Sequence, residues 1–369
     1  MGHIEKMPAH EDAQTNDARL SNNDHRPLPV VDLGPLMRGE AGAVESIATA
    51  WREVCENLGF LCVVNHGVDT ALIDDMERQS RRFHDDLTVD QKMAVQVTRD
   101  QKGFIPSKAT ILTHSPYHAH TKLDSVECFV VATDFPTDHA EAQKGTQFYG
   151  QTPWPTEDTL PGFRESVSNY MLAIKNLGLS LLPVWEQALD LKPGFFKPSF
   201  TDPYCYLRMA KYPKVDFVQD NEFGLGAHAD TGFMTFLPPA LEAGLQILDT
   251  NKKWFWPIVP EGAIIVNIGQ FLARWSNDRF RATPHRVLPP KDNDRYSFAC
   301  FINTNLEAVA ECLPSCRPES GTPKYEPQSY WSFFEWYMKR TYVHYSDFTS
   351  SEAQTSPASS TGEITNSRP

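Results

Sequence analysis

Apolar positions recur every three or four residues over 43–58, where Val44, Ile47, Trp51, Val54, Cys55 and Leu58 predict an amphipathic helix ending at Gly59. The same period returns over 70–87 through Leu72, Ile73, Met76, Phe83 and Leu87. A third set, Phe163, Val167, Tyr170, Met171, Ile174 and Leu177, predicts a long helix running from LPGF towards Asp190. Pro183 must kink or split it, because proline has no N–H to offer the preceding turn. Between these stretches the helical period vanishes. LPVVDL predicts a first short strand, FLCVVNHG a buried strand closed by a turn, and VECFVVA another strand inside an otherwise loop-rich stretch over 104–160. From 204 to 304 come short runs (YCYLRMAKY, GLGAHA, FMTFL, GLQIL, AIIVNIG, HRVL, YSFACFI) punctuated by Gly, Pro, Asn and Asp. Many short strands with frequent turns predict a sandwich or jelly roll, so the fold class is α+β. The aromatic segment YWSFFEWYMKRTY at 330–342 predicts a closing helix packed over the β core.

Composition narrows the partners. At 369 residues, 41% hydrophobic and 11% aromatic, the chain can bury a large core. Its net charge of -13, from 47 acidic and 34 basic residues, counts against a grip on nucleic acid or an anionic membrane and favours a small-molecule partner. No stretch approaches the ~18 apolar residues of a membrane span, and the N-terminus lacks a signal peptide's apolar core, so a cytoplasmic protein is expected. Seven cysteines in neither a zinc nor a disulfide pattern are expected as reduced, mostly buried thiols. The polar ends, 1–27 and 349–369, are expected to be disordered tails. Between them the chain divides into an N-terminal α/β part (28–160), a helix with the β core (161–305) and an aromatic helical segment (306–348).

The chemistry concentrates in GLGAHADTGFMTFL, residues 224–237. On a strand His228 and Asp230 share a face, where they can bond each other, act as acid and base, or bind a metal together. A metal site for oxygen chemistry takes two histidines and a carboxylate on one side of the ion and leaves the other side open. Downstream only His285 and His344 remain. His285 heads the strand-like HRVL and is the better third ligand, since His344 lies near the polar tail. Arg295 and Ser297 share a face by the same alternation, and a guanidinium beside a hydroxyl suits a carboxylate. His66 is expected to be a turn histidine, and the HSPYHAH run has no third ligand at evident spacing. Arg208, inside an apolar run, is expected either to face an internal carboxylate or to anchor substrate or co-substrate.

With these residues in view, the sequence resembles the isopenicillin N synthase-like group of non-haem Fe(II), 2-oxoglutarate-dependent dioxygenases over most of 28–305. LPVVDL and GFLCVVNHGV carry the resemblance in the N-terminal part. KYP, HAD, GLQIL, VNIGQFLARWSNDRFRATPHRV and RYSFACF carry it in the C-terminal part, in the family's order. The resemblance implies a double-stranded β-helix, a cupin-like jelly roll, with flanking helices. It implies iron held by His228, Asp230 and His285, and the distal carboxylate of 2-oxoglutarate held by Arg295 and Ser297 with Tyr212. Dioxygen would be the oxidant and ascorbate a candidate reductant. The expected reaction oxidises an unactivated C–H bond of a small specialised metabolite, by hydroxylation, desaturation or ring formation, with release of succinate and carbon dioxide. Phe104, Ile105, Tyr117, His118 and His120, with Trp331 and Phe334 of the closing helix, are the candidate substrate contacts. Gln270 and Ala210 stand where many members carry Asp and Asn, which weakens any likeness to plant flavonoid-type enzymes. Two alternatives remain at this stage: an iron oxidase of the isopenicillin N synthase type, which also carries Arg-x-Ser but uses no 2-oxoglutarate, and a non-catalytic binding protein of the same fold.

Overall fold

In the computed structural model, residues 24–109, 122–216, 221–319 and 321–341 are described. The chain enters through strands β1 (His25–Pro27) and β2 (Val30–Asp32) and a single helical turn, α1 (Gly34–Met37). The first amphipathic run becomes α2 (Ala43–Asn57), which buries Ile47, Trp51 and Cys55, and leads to β3 (Phe60–Val64). Next comes α3 (Thr70–Arg81), started by Asp69, whose carboxylate accepts the Ala71 N–H at 2.9 Å. The regular helix stops short of the expected 87, because the backbone widens into a π turn over Arg82–Asp86 that turns both Phe83 and His84 inward. After α4 (Val89–Met93), β4 (Gly103–Ile105), β5 (Glu127–Ala132) and α5 (Ala140–Gln143), the long apolar run forms α6 (Phe163–Ser180) and α7 (Leu182–Ala188). The break falls where Pro183 enters the first turn of α7, the place that tolerates a missing N–H.

The β core follows: β6 (Cys205–Tyr212), β7 (Leu225–His228), β8 (Met234–Leu237), β9 (Leu245–Leu248), β10 (Trp254–Ile258) and β11 (Ile264–Ile268). The short helix α8 (Gln270–Trp275) precedes β12 (His285–Val287) and β13 (Arg295–Ile302). A two-stranded ribbon, β14 (Val309–Ala310) with β15 (Gln328–Ser329), delivers the chain to α9 (Tyr330–Thr341). One sheet runs β1-β10-β9-β12-β7 and the other β2-β3-β11-β8-β13-β6-β5-β4. Together they form the double-stranded β-helix with flanking helices. β2 to β5 join β6, β8, β11 and β13 in that larger sheet, so the N-terminal part and the β core share one hydrogen-bonded layer. A small apolar cluster including Phe60, Ile247, Phe255 and Ile265 draws on both sheets, while the large core includes Trp51, Phe83, Phe129, Tyr170 and Trp185.

Three differences from the sequence expectation have physical causes. Residues 25–27, expected in a structureless tail, form β1 by pairing in parallel with Trp256–Ile258, anchored by an Arg26–Asp249 ion pair at 2.7 Å. β10 (WFWPI) is aromatic and proline-containing and only Phe255 in it is buried, so no inside–outside alternation marks it. α8 is too short for its period to register. The cysteines among the described residues are free thiols, and no helix among those residues is long and apolar enough to cross a membrane.

Candidate metal centre

β7 and β12 are antiparallel neighbours whose register sets His228 directly opposite His285. The two rings lie 4.4 Å apart between centroids. Asp230 is not on a strand: β7 ends at His228, and the carboxylate comes from the turn leading to β8. The period-2 argument therefore brings Asp230 to the right side, but the turn holds it there. Its carbonyl accepts the Gln270 N–H at 2.6 Å, and the Gln270 side chain donates to the Ala229 carbonyl at 2.7 Å. Asp230 Oδ2 accepts from Thr235 Oγ1 at 2.6 Å and Asn267 Nδ2 at 2.7 Å, which leaves Oδ1 directed at the histidines. A close backbone approach makes the turn possible: a Cβ on Gly269 would lie 2.0 Å from the Gly232 carbonyl oxygen.

Asp230 Oδ1 lies 3.7 Å from His228 Nε2 and 3.5 Å from His285 Nε2, and one ligand atom from each residue falls within 4.8 Å of the others. The Nδ1 atoms face backbone carbonyls, His228 on Gly226 at 2.8 Å and His285 on Thr283 at 3.2 Å, so Nδ1 carries the proton and Nε2 presents its lone pair. Three lone-pair donors facing one point repel unless a cation sits among them. That donor set fits a divalent metal with two histidines and a carboxylate. Burial pushes the His228 imidazole down to about 3, assisted by His285 and opposed by Asp230. Burial also works against ionising Asp230 and His285. Their mutual attraction prevails, so the carboxyl sits below its usual range and the His285 imidazole above its own.

On β13, Arg295 and Ser297 are buried and share a face, and Arg295 is paired across the ladder with Tyr212 of β6. The guanidinium carbon sits 5.1 Å from the centre of the Tyr212 ring. Its Nε donates to the Glu242 carbonyl at 3.2 Å, while Nη1 is buried with no acceptor among the described residues. Burial depresses the Arg295 pKa. A buried guanidinium with an orphaned donor is a receptor for a carboxylate. The space is kept open by glycines: a Cβ on Gly244 would meet Arg295 Cδ at 2.8 Å, and one on Gly224 would meet the Tyr212 ring at 2.8 Å.

Beside His228 and Asp230 a cleft opens to solvent, walled in part by Arg208, Tyr206, Phe301, Asn303 and α9. Phe334 lines it, whereas Trp331 points its indole N–H at the Gln147 carbonyl, 3.1 Å away, and is absent from the wall. Phe104 and Ile105 lie in β4 within the main core, Phe104 against Phe83 and Lys92, and not on the cavity. Tyr117, His118 and His120 lie outside the described residues. His66 is a turn histidine: Nε2 contacts the Gly262 carbonyl at 3.1 Å, and Nδ1 accepts the Val68 N–H. Sequence reasoning missed Asn267 and Thr235, the two residues that aim Asp230. A lone asparagine in the buried apolar run AIIVNIG was the available signal. It also missed Tyr330, which lines the cleft beside Thr231 of the metal turn.

Fold and site together define a double-stranded β-helix protein in which a donor set suited to a divalent metal lies beside a buried guanidinium suited to a carboxylate. Two family models match: the N-terminal region of non-haem dioxygenases in morphine synthesis, over 28–157, and the 2OG-Fe(II) oxygenase superfamily, over 204–304. The chain is 30% identical over 291 residues to kihadalactone A synthase LFS of Citrus sinensis, covering 76% of this chain and 84% of that one. It is 29% identical over 307 residues to the 2-oxoglutarate-Fe(II) type oxidoreductase hxnY of Emericella nidulans, covering 81% and 86%. The crystal structure of a full-length Neurospora crassa protein in complex with alpha-KG superposes with a TM-score of 0.71 at 25% identity, covering 83% of this chain and 94% of that one. The chain belongs to the 2OG-Fe(II) oxygenase superfamily. It is a 2-oxoglutarate-dependent dioxygenase whose cofactor is Fe(II), whose co-substrate is 2-oxoglutarate and whose oxidant is dioxygen.

Proposed function

We propose that this chain oxidises a C–H bond of a small specialised metabolite at a centre where His228 Nε2, Asp230 Oδ1 and His285 Nε2 hold Fe(II). Arg295 and Ser297, with Tyr212, receive the distal carboxylate of 2-oxoglutarate. The observation that carries this assignment is the convergence of three lone-pair donors, each fixed from behind, beside a buried arginine with an unused donor. Relatives named for making a single small product, such as the Citrus sinensis kihadalactone A synthase, support the substrate class, as does the net negative charge.

When bound, iron with 2-oxoglutarate supplies an oxidant able to attack an unactivated C–H bond, with succinate and carbon dioxide released. The chain supplies the rest. Gly226 and Thr283 fix the tautomers of the two histidines, and Asn267 and Thr235 hold the far oxygen of Asp230 so that the near one faces the ion. Arg295 orients the co-substrate by a charge-assisted bond in a site with little water. The side chains of α9 and β13 that wall the cleft, including Phe301, Tyr330 and Phe334, give the substrate side a largely aromatic lining.

Anaerobic titration with ferrous ion is the test. Wild type should take up one ion per chain, and Asp230→Ala should fall well below that, because two neutral imidazoles alone hold the metal poorly. Undiminished, stoichiometric uptake by Asp230→Ala would move the metal elsewhere.

A further inference from the structure

The sheet does not hold the two histidines of the metal centre equally. β12 lies inside it, between β9 and β7, so His285 is paired on both sides, with Ile247 and with His228. β7 is the edge of that sheet and ends at His228. Its pairing is also interrupted. Leu225 stands opposite Val287 and His228 opposite His285, so Gly226 and Ala227 together face the single position of Arg286. Such a bulge leaves backbone groups outside the regular ladder, and here it includes the carbonyl that fixes His228 Nδ1.

On the free side of β7 the missing strand is replaced by the segment that leads into β5. Ser125 donates its N–H to the Phe223 carbonyl at 3.0 Å, and Asp124 Oδ1 accepts the Gly226 N–H at 2.9 Å. Gly226 is therefore tied twice: its N–H to Asp124, and its C=O to the His228 imidazole at 2.8 Å. Glycine lacks the Cβ that would confine its dihedral angles, so cutting the first tie leaves the carbonyl free to turn. A buried N–H left without an acceptor would drive that turn, since it gains by reaching another partner. Asp124 is itself 1% exposed, and its Oδ2 has no partner among the described residues. Burial pushes the carboxyl up to about 7, opposed in part by Gly226 and Arg208. With or without a proton on Oδ2, Oδ1 remains an acceptor, so the hold on Gly226 does not depend on charge.

We propose that Asp124 is a positioning residue of the metal centre: through the Gly226 backbone it fixes the tautomer and orientation of His228, and with them the affinity of the site for its ion. This role presupposes the assignment of the triad to a metal. The tie runs to His228 alone, because His285 Nδ1 bonds the Thr283 carbonyl and the Thr283 hydroxyl bonds the Leu58 carbonyl.

The test has two readouts. Under nitrogen, competition with a chelator of known affinity measures ferrous-ion binding. Asp124→Ala should weaken it roughly 10-fold, the lower end for residues that act behind a metal ligand, and Asp124→Asn, which keeps a carbonyl acceptor, should restore most of the loss. In the zinc-loaded protein with isotopically labelled histidine, nuclear magnetic resonance of wild type should show Nδ1–H signals of His228 and His285 that appear with the ion. Asp124→Ala should shift or broaden the His228 signal and leave that of His285, whereas a general loosening of the fold would disturb both. An unchanged ion affinity or an unchanged His228 signal in Asp124→Ala would overturn the proposal, as would equal disturbance of both signals, or an Asp124→Asn that behaves like Asp124→Ala. Should Asp124→Ala fail to fold, zinc-loaded wild type decides: a scalar coupling across the hydrogen bond from the Gly226 amide nitrogen to the Asp124 carboxyl carbon is expected, and its absence would overturn the role. Failure of wild type to bind either ion would instead overturn the metal-centre assignment beneath it.

Discussion

Arg295 makes opposite predictions for stability and for function, and the two can be read in one experiment. Arg295 is 3% exposed, with Nη1 unaccepted among the described residues and a long bond from Nε to the Glu242 carbonyl at 3.2 Å. Arg295→Met keeps the aliphatic stem and removes the charge. Replacing a poorly compensated buried charge by an apolar group of similar volume is neutral or stabilising by about 1–4 kcal/mol. Loss of the Nε bond subtracts about 1 kcal/mol. The variant without ligand should therefore be as stable as wild type or up to about 3 kcal/mol more stable. With 2-oxoglutarate at about 100 times the wild-type dissociation constant, wild type gains about 2.7 kcal/mol. If the lost charge-assisted bond raises that constant roughly 10–100-fold, the variant gains only about 1.4 to 0.4 kcal/mol. Thermal unfolding of the iron-loaded proteins under nitrogen, with and without 2-oxoglutarate, measures both terms. A variant less stable than wild type that keeps the full stabilisation by 2-oxoglutarate would refute the assignment of Arg295 as the receptor.

Gly244→Ala should displace the Arg295 guanidinium, since the new methyl would lie 2.8 Å from Cδ and 3.0 Å from Nε; 2-oxoglutarate titrations should show weaker binding with iron uptake unaltered. Asn267→Ala should release Asp230 Oδ2 from its 2.7 Å donor and weaken metal binding by roughly 10–100-fold, measured by competition with a chelator of known affinity. Glu127 is predicted to shape acid stability. Burial alone would raise its pKa, but His84 at 2.8 Å and Lys92 at 2.9 Å bring it down to about 2. Its stabilising contribution is complete above the ordinary value of 4.5 and is lost as pH falls from there towards about 2, so Glu127→Gln should flatten the acid limb of a stability–pH curve. An unaltered acid limb would show that this cluster does not govern acid unfolding.

The fold was legible wherever one face of an element is buried and the other is not. The 3.6-residue period marked α2, α3 and α6 because each turns one apolar side to the core, and Pro183 marked the break before α7. Alternation placed Arg295 and Ser297 correctly on β13. It misdescribed Asp230, because a turn braced by Gln270, Thr235 and Asn267 can present a side chain to the same point as a strand would. Segments whose order comes from distant partners were not legible: β1 pairs with a strand more than 200 residues away, and Phe104 is core because Phe83 and Lys92 close over it. The cleft beside the metal centre was the least readable. Its wall is assembled in part from β6, β13 and α9, and no local pattern in any one of these announces it.

The division between chemistry and selectivity follows from where the parts are anchored. Metal ligands and the co-substrate receptor sit on, or are braced by, β6, β7, β11, β12 and β13, whose ladders fix their relative positions to within a side chain's reach. The matched C-terminal family region, 204–304, contains all of these strands. Much of the cleft wall instead comes from α9, outside that region, whose first residues hang from the Ala308 and Leu306 carbonyls and whose Tyr330 lines the cleft beside Thr231 of the metal turn. Substitutions along α9 can therefore reshape the substrate wall without moving a ligand atom, whereas a substitution at Gly244 or Gly269 reaches the clamp or the metal turn directly. Shared chemistry among relatives named for different products is the expected consequence.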